Sequence, residues 1–292
     1  MSEPLLDVRR LEVGFSGPRG LVPAVRGVSF TLGQEKLGIV GESGSGKSTI
    51  GRAILRLLPD TADLRAERLA FQGRDILAMN PRTLRELRGR HVTMVMQDPR
   101  FSLNPVMPIG RQIAETLVTH SRERLGKAEL RRRVLATLEA VQIRDPERVY
   151  RAYAHELSGG MGQRAMIAMM LIADPELLIA DEATSALDVT VRKEILRIMD
   201  DLVERRGMGL ILISHDLNLV ASFCDRVLIL YAGRVVEELA AKDLHHCRHP
   251  YSRGLLASLP RLDERTTTLA TLERDPAWLE GPVYRFGEEV AE

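Results

Sequence analysis

The sequence has few cysteines, no long hydrophobic run and almost no net charge. Two cysteines, Cys224 and Cys247, stand in 292 residues. That is too few for a disulfide framework, so a reducing compartment is expected. It is also too few for a four-cysteine iron–sulfur cluster. The longest stretch free of polar or charged residues covers residues 165–173. A membrane helix needs about 20 such residues, so no bilayer crossing is expected. Residues 1–10 carry acids and no apolar core, unlike a secretory signal. Lys and Arg total 41 against 40 Asp and Glu, a net charge of +1. A chain that wraps nucleic acid would carry a basic excess. The one basic stretch, from Arg122 to Arg133, is interleaved by Glu123 and Glu129 and reads as a solvated helix face.

What is present is an alternation of strands and helices. Residues 5–15 and 25–32 read as strands around a turn at 16–20, and residues 37–40 as a short buried strand. Residues 48–58 have helical spacing and stop at Pro59. Residues 92–96 form a further apolar strand. Between Asp98 and Leu157 the pattern turns helical, with amphipathic helices over 109–120 and 127–141. Alternation then returns: helix 160–173, strand 177–180, helix 189–206, strand 210–214, helix 217–223 and strand 226–231. This order implies an α/β fold with a mostly parallel sheet covered on its faces. Beyond about Pro260 the pattern decays, and residues 261–292 read as a tail on the surface or facing a partner.

Gly41-Glu42-Ser43-Gly44-Ser45-Gly46-Lys47-Ser48 fits the phosphate-loop pattern, followed by Thr49 at the start of a helix. Its glycines let successive N–H groups face phosphates, and the helix N-terminus adds a positive dipole end. Lys47 would reach the β- and γ-phosphates, and the Ser48 hydroxyl would ligate Mg²⁺. The apolar run 177–180 ends in Asp181 and Glu182. A carboxylate at a strand's C-terminal end sits where such sheets bind ligands. Asp181 would hold Mg²⁺, and Glu182 would take a proton from water. Taken alone, both acids equally suit a helix cap. Ser158-Gly159-Gly160 before a helix offers a hydroxyl and N–H groups to an anion, or an ordinary N-cap. His215 and Gln97, each after a strand, could reach phosphate, metal or water, and alone each means little.

The order of these motifs is more specific than any one of them. The phosphate loop, Gln97, Leu157-Ser158-Gly159-Gly160, Asp181-Glu182, Ser185-Ala186-Leu187-Asp188 and His215 follow one another. The chain thereby resembles ABC-type ATPase subunits over about residues 5–260. Finer segments resemble the oligopeptide, dipeptide and nickel import group. They include Gln97-Asp98-Pro99, Ala186-Leu187-Asp188-Val189-Thr190-Val191 and His249-Pro250-Tyr251-Ser252-Arg253-Gly254.

The resemblance implies a P-loop ATPase core over 1–260 with an N-terminal antiparallel β subdomain, a helical subdomain inserted at about 98–165, and a tail at 261–292. It implies ATP and Mg²⁺ as ligands, with Ser48, Gln97 and Asp181 on the metal side. Glu182 is then the catalytic base, His215 the γ-phosphate switch and Gln97 the sensor. Two subunits pair head to tail, so Ser158, Gly159 and Gly160 act on the partner's nucleotide, and Asp188 lies in the loop crossing the interface. Phe15 matches the aromatic that stacks on adenine. The implied partners are a second, non-identical ATPase subunit (a homodimer second), two membrane permeases and, through them, an extracytoplasmic solute-binding protein. No nucleic acid is implied. The implied place is peripheral, at the cytoplasmic face of the membrane.

Three departures from the family pattern stand out. Gly162 replaces a polar residue, Ala183 replaces a proline, and no cysteine follows Cys247. The tract His245-His246-Cys247-Arg248-His249 looks like a metal tract, since His and Cys suit Ni²⁺ and Zn²⁺, but His249 belongs to the His-Pro-Tyr run. Two other readings stay open here: a soluble ABC-type ATPase acting on DNA or the ribosome, and a regulatory subunit with a weak site. Only 60 residues separate Gln97 from Ser158, too few for the long coiled coil of chromosome-type members. The intact Lys47, Asp181, Glu182 and His215 argue against a silent site.

Overall fold

The computed structural model describes residues 3–18, 20–96, 102–121, 123–183, 188–258 and 275–285. It divides into two compact units, Met1–Leu77 with Ile211–Glu292, and Ala78–Leu210. The architecture is α/β, as the alternation predicts.

The first unit opens on the antiparallel hairpin of β1 (Leu6–Gly17) and β2 (Gly20–Leu32). The ladder runs on through Ser16↔Leu21 to Gly17↔Gly20, so the turn is shorter than the 16–20 predicted. The register shifts between Val8 and Leu11, where Arg10 takes φ 47°. This bulge returns Leu11 to the face that buries Leu6 and Val8. Next comes β3 (Lys36–Val40), then α1 (Lys47–Ile54), which buries Ile50 and Ile54. The helix stops short of the predicted end because Arg56 adopts φ 50°, before Pro59 can act. The strands β4 (Ala62–Arg65), β5 (Arg68–Phe71) and β6 (Arg74–Asp75) complete an antiparallel sheet of order β2-β1-β5-β6, with β4 on β1. Their charged sequence hides them from a reading by alternation. The β5–β6 turn is marked by Gln72 and Gly73, both at positive φ.

The second unit begins with α2 (Pro81–Arg90), capped by Asn80, whose side chain accepts from the Arg82 and Thr83 amides at 3.0 Å. The helix breaks at Arg88 and Gly89. Then follow β7 (Val92–Val95), α3 (Ile109–His120), α4 (Lys127–Ala140), α5 (Pro146–Arg151) and α6 (Gly159–Leu171). The unit ends with β8 (Leu177–Asp181), parallel to β7, and α7 (Val189–Arg206). Ile109, Ile113, Val134, Leu138, Val149 and Ile167 are fully buried. Burying each such side chain stabilises the unit by about 1.5–3 kcal/mol before entropy is counted.

β9 (Gly209–Ser214) leads the chain back into the first unit, to α8 (Leu217–Phe223), β10 (Arg226–Tyr231), β11 (Arg234–Ala240) and α9 (Pro250–Ala257). There the strands lie in the order β11-β10-β3-β9, with β3 parallel and β11 antiparallel to β10. The tail is no free appendage over residues 275–285. The Arg234 guanidinium donates to the Leu279 carbonyl at 2.7 Å and also to that of Gly281. The Tyr284 amide donates to Val236 O at 3.1 Å, and Glu238 N donates to Tyr284 O at 2.7 Å. The tail thus pairs with β11. Among the described residues no helix is long and apolar enough to cross a membrane.

Candidate functional site

In the first unit the phosphate-loop residues form a tight turn between β3 and α1. The Ser45 amide donates to Glu42 O at 3.2 Å, and Ser45 O accepts from Gly233 N at 2.9 Å. Two glycines have no substitute here. Gly41 sits at φ 154°, and a Cβ on it would lie 2.3 Å from Leu230 O. Gly46 sits at φ 96°, and its Cβ would lie 2.4 Å from Ala24 O. Gly46 is also the N-cap of α1 and, as a glycine, offers no side-chain cap.

Lys47 is buried at 5% exposure, and its Nζ donates to Gly41 O at 2.8 Å and Glu42 O at 2.7 Å. The ammonium is held over the loop by the loop's own carbonyls. Ser45 is buried and its Oγ has no hydrogen-bond partner. Ser43 and Gly44 are exposed, while Ser48 and Thr49 are half-buried. An oriented ammonium, a helix N-terminus with no side-chain cap and an unpartnered buried hydroxyl in one turn suit a polyphosphate.

His215 also belongs to this unit, exposed just beyond β9, the neighbour of β3. Its turn is fixed on both sides. The Ser214 Oγ accepts from Asp216 N at 3.0 Å, and Asp216 caps α8 by accepting from Leu219 N at 3.0 Å. Phe15 is half-buried on β1, opposite Val22 of β2 and Ala62 of β4.

The second unit carries the remaining predicted residues. Asp181 ends β8 and is buried; Glu182 follows at φ 49°, half-buried. A non-glycine residue in the left-handed region is strained, and such strain concentrates at functional positions. Ala183, next in the chain, is buried. Ser158 is exposed and caps α6, its Oγ accepting from Met161 N at 3.4 Å. Gly160 is required by its neighbour, since a Cβ would lie 2.8 Å from the Val191 side chain. Asp188 caps α7, accepting from the Thr190 and Val191 amides at 3.0 Å. Gln97 and Ser185-Ala186-Leu187 lie outside the described residues.

Among the described residues no group of three or more His, Cys, Asp or Glu side chains could hold a metal ion. His249 turns inward and caps α9, its Nδ1 accepting from Tyr251 N at 3.1 Å. The buried Glu237 carboxylate accepts from Arg248 N at 2.6 Å and His249 N at 3.2 Å. Burial lowers the His249 ring below the ordinary histidine range, with Glu237 opposing and Arg234 adding to the shift. Sequence reasoning missed what this corner supports: fully buried Tyr251 accepts a hydrogen bond from the Glu42 amide at 3.2 Å. The His-Pro-Tyr run was the only signal, and it gave no hint of the phosphate loop.

Comparison with known proteins agrees with this layout. The family model described as "ABC transporter" matches residues 25–185. A probable peptide ABC transporter ATP-binding protein of Sinorhizobium fredii is 49% identical over 259 residues, covering 88% of this chain and 77% of the relative. The oligopeptide transport ATP-binding protein OppD of Bacillus subtilis is 44% identical over 262 residues, covering 89% and 73%. Among solved structures, a bacterial ABC transporter cassette determined as a dimer superposes with a TM-score of 0.73 at 26% identity, covering 81% of this chain and 98% of that one. The same cassette in a post-hydrolysis state, bound to ADP and phosphate, gives a TM-score of 0.72 at 25% identity over the same shares.

Proposed function

Because the chain belongs to the ABC transporter family, we propose that it is the ATP-hydrolysing, energy-coupling subunit of a peptide importer. The observation that supports this reading is the Lys47 loop, a glycine turn whose own carbonyls hold the ammonium at the start of α1. Peptide is the cargo class because the relatives are named as peptide transport ATP-binding proteins.

The loop amides and Lys47 bind the triphosphate, and Phe15 stacks on the base. Ser48, Gln97 and Asp181 present oxygen donors of the kind Mg²⁺ prefers. Mg²⁺, when bound, neutralises charge that develops on the phosphates. Glu182 accepts the proton of the attacking water, and His215 orients the γ-phosphate. Ser158, Gly159 and Gly160 serve the nucleotide of a second ATPase subunit paired head to tail, with Asp188 at the crossing loop. ATP binding closes that pair and hydrolysis reopens it. Two membrane permeases read the closure, which is coupling in the thermodynamic sense. The subunit works at the cytoplasmic face of the membrane, with a non-identical ATPase as the favoured partner.

The test is ATP turnover by the purified chain, alone and then assembled in lipid with the second ATPase subunit and the permeases of its transport system. Peptide-stimulated hydrolysis that vanishes in Lys47→Ala is the expected result. Binding of ATP without turnover in the full assembly would overturn the motor reading in favour of a regulatory subunit.

A further inference from the structure

The fully buried hydroxyl of Tyr251 lies far along the chain from the phosphate loop, yet touches its backbone. The Glu42 amide donates to the Tyr251 Oη at 3.2 Å, while the Glu42 carbonyl accepts from Lys47 Nζ at 2.7 Å. One residue therefore links Tyr251 to the Lys47 ammonium.

The Tyr251 ring is itself fixed. It packs on Tyr231 at 4.7 Å between centroids and on Trp278 at 5.9 Å. Trp278 also meets Tyr231 edge-on at 5.5 Å and His249 at 5.9 Å. Such aromatic pairs prefer these offset and edge geometries, and each adds to simple burial. Trp278 belongs to the C-terminal segment 275–285, which Arg234 and the Tyr284 backbone fasten to β11.

We propose that Tyr251 is a positioning residue of the nucleotide site and that the C-terminal segment, through Trp278, sets its position. The hydroxyl holds the Glu42 peptide in the orientation that aims Lys47 and the loop amides. Without it the loop must be ordered by the nucleotide, and affinity falls. The proposal rests on the reading of the Lys47 loop as the nucleotide site.

Calorimetric titration of the full chain with MgATP tests it, because one curve gives both the fraction of competent sites and Kd. Loss of folded protein lowers the fraction and leaves Kd unchanged; loss of positioning raises Kd at an unchanged fraction. A single hydrogen bond is worth about two- to tenfold in an equilibrium constant. Tyr251→Phe, which keeps the ring and removes only the hydroxyl, is expected to raise Kd by more than about twofold. Trp278→Ala is expected to do the same, with Trp278→Phe closer to the parent. Amide exchange at Glu42 should quicken in Tyr251→Phe without MgATP, while exchange in α6 stays as in the parent. A Kd for Tyr251→Phe within twofold of the parent would overturn the proposal. A Trp278→Ala Kd equal to the parent's would overturn the part given to the C-terminal segment. Failure of the parent to bind MgATP any better than Lys47→Ala would instead overturn the nucleotide-site reading and take this proposal with it.

Discussion

Lys47 and Tyr251 grip opposite ends of the same residue: the Glu42 carbonyl accepts from the lysine ammonium, and the Glu42 amide donates to the tyrosine hydroxyl. A phosphate loop is short of side chains by design, because its work is done by backbone N–H groups. Its shape must then be imposed from outside. Here the constraint comes from three sides: the buried ammonium, the Gly233 amide on Ser45 O, and a tyrosine from the end of the domain.

Gly46→Ala should disable the loop. The position combines φ 96° with an approach of 2.4 Å between a Cβ and Ala24 O. The left-handed conformation alone costs an alanine about 1–2 kcal/mol, and the backbone contact cannot yield as a flexible side chain would. The melting temperature is expected to fall and MgATP binding to be lost. Parent-like binding by this variant would mean that the turn can reform elsewhere.

Glu182→Gln separates chemistry from binding. The side chain is half-buried at the end of β8, and glutamine has the same shape and tolerates φ 49° no worse. Positioned proton transfer typically contributes about 10²- to 10⁴-fold, and turnover should fall by that order. Nucleotide binding should persist and trap the closed pair of subunits, seen as a dimer by size-exclusion chromatography in ATP. Hydrolysis at the parent rate would remove Glu182 from the role of base.

The candidate site's residues stand out in the sequence because they lie in short, ordered motifs. Asp181 and Glu182 fall at the end of β8, where the apolar run 177–180 points, and Lys47 opens α1 after the loop that follows the run 37–40. α7 and α8 carry the predicted limits because Asp188 and Asp216 cap them and periodic apolar residues fill one face. β4 to β6 were not legible: residues 62–75 are rich in charge, and β4 and β5 are placed by pairing with the distant β1, β6 by pairing with β5. The path of residues 275–285 was hidden for a related reason. It is held by backbone pairing, by Arg234 and by one tryptophan, none of which leaves a period. The link from Tyr251 to Glu42 joins residues distant in sequence, which only the folded chain reveals.

The two thiols should be inert in the native protein. Burial, with Asp225 adding and Lys36 opposing, pushes Cys224 up to about 12. Burial and Glu237, against Arg253, push Cys247 up to about 11. The thiolate is the nucleophile, so at pH 8 only about one molecule in a thousand or fewer carries a reactive Cys247. Iodoacetamide should leave the folded chain unmodified and add two carbamidomethyl groups in denaturant, read by intact mass. Rapid labelling of the folded chain at either cysteine would contradict this burial.

The His249 corner should loosen in mild acid. Its ring is held below the ordinary value of about 6.5, first by burial, with Glu237 opposing and Arg234 adding. The unfolded chain therefore takes up a proton at higher pH than the folded one. The contribution of the neutral ring is complete above about pH 6.5 and is lost as pH falls below it towards the depressed folded value. Protonation also takes from Nδ1 the lone pair that accepts the Tyr251 amide and caps α9. Trp278, the only tryptophan in the chain, is half-buried with its ring 5.9 Å from His249, so its emission reports the event. A red shift is expected as pH falls below about 6.5. His249→Asn keeps a helix cap but cannot titrate there, and its emission should stay flat through the same range. His120, lowered by burial and by Arg90, is untouched in that variant. An unchanged acid transition in His249→Asn would therefore assign the titration to another group.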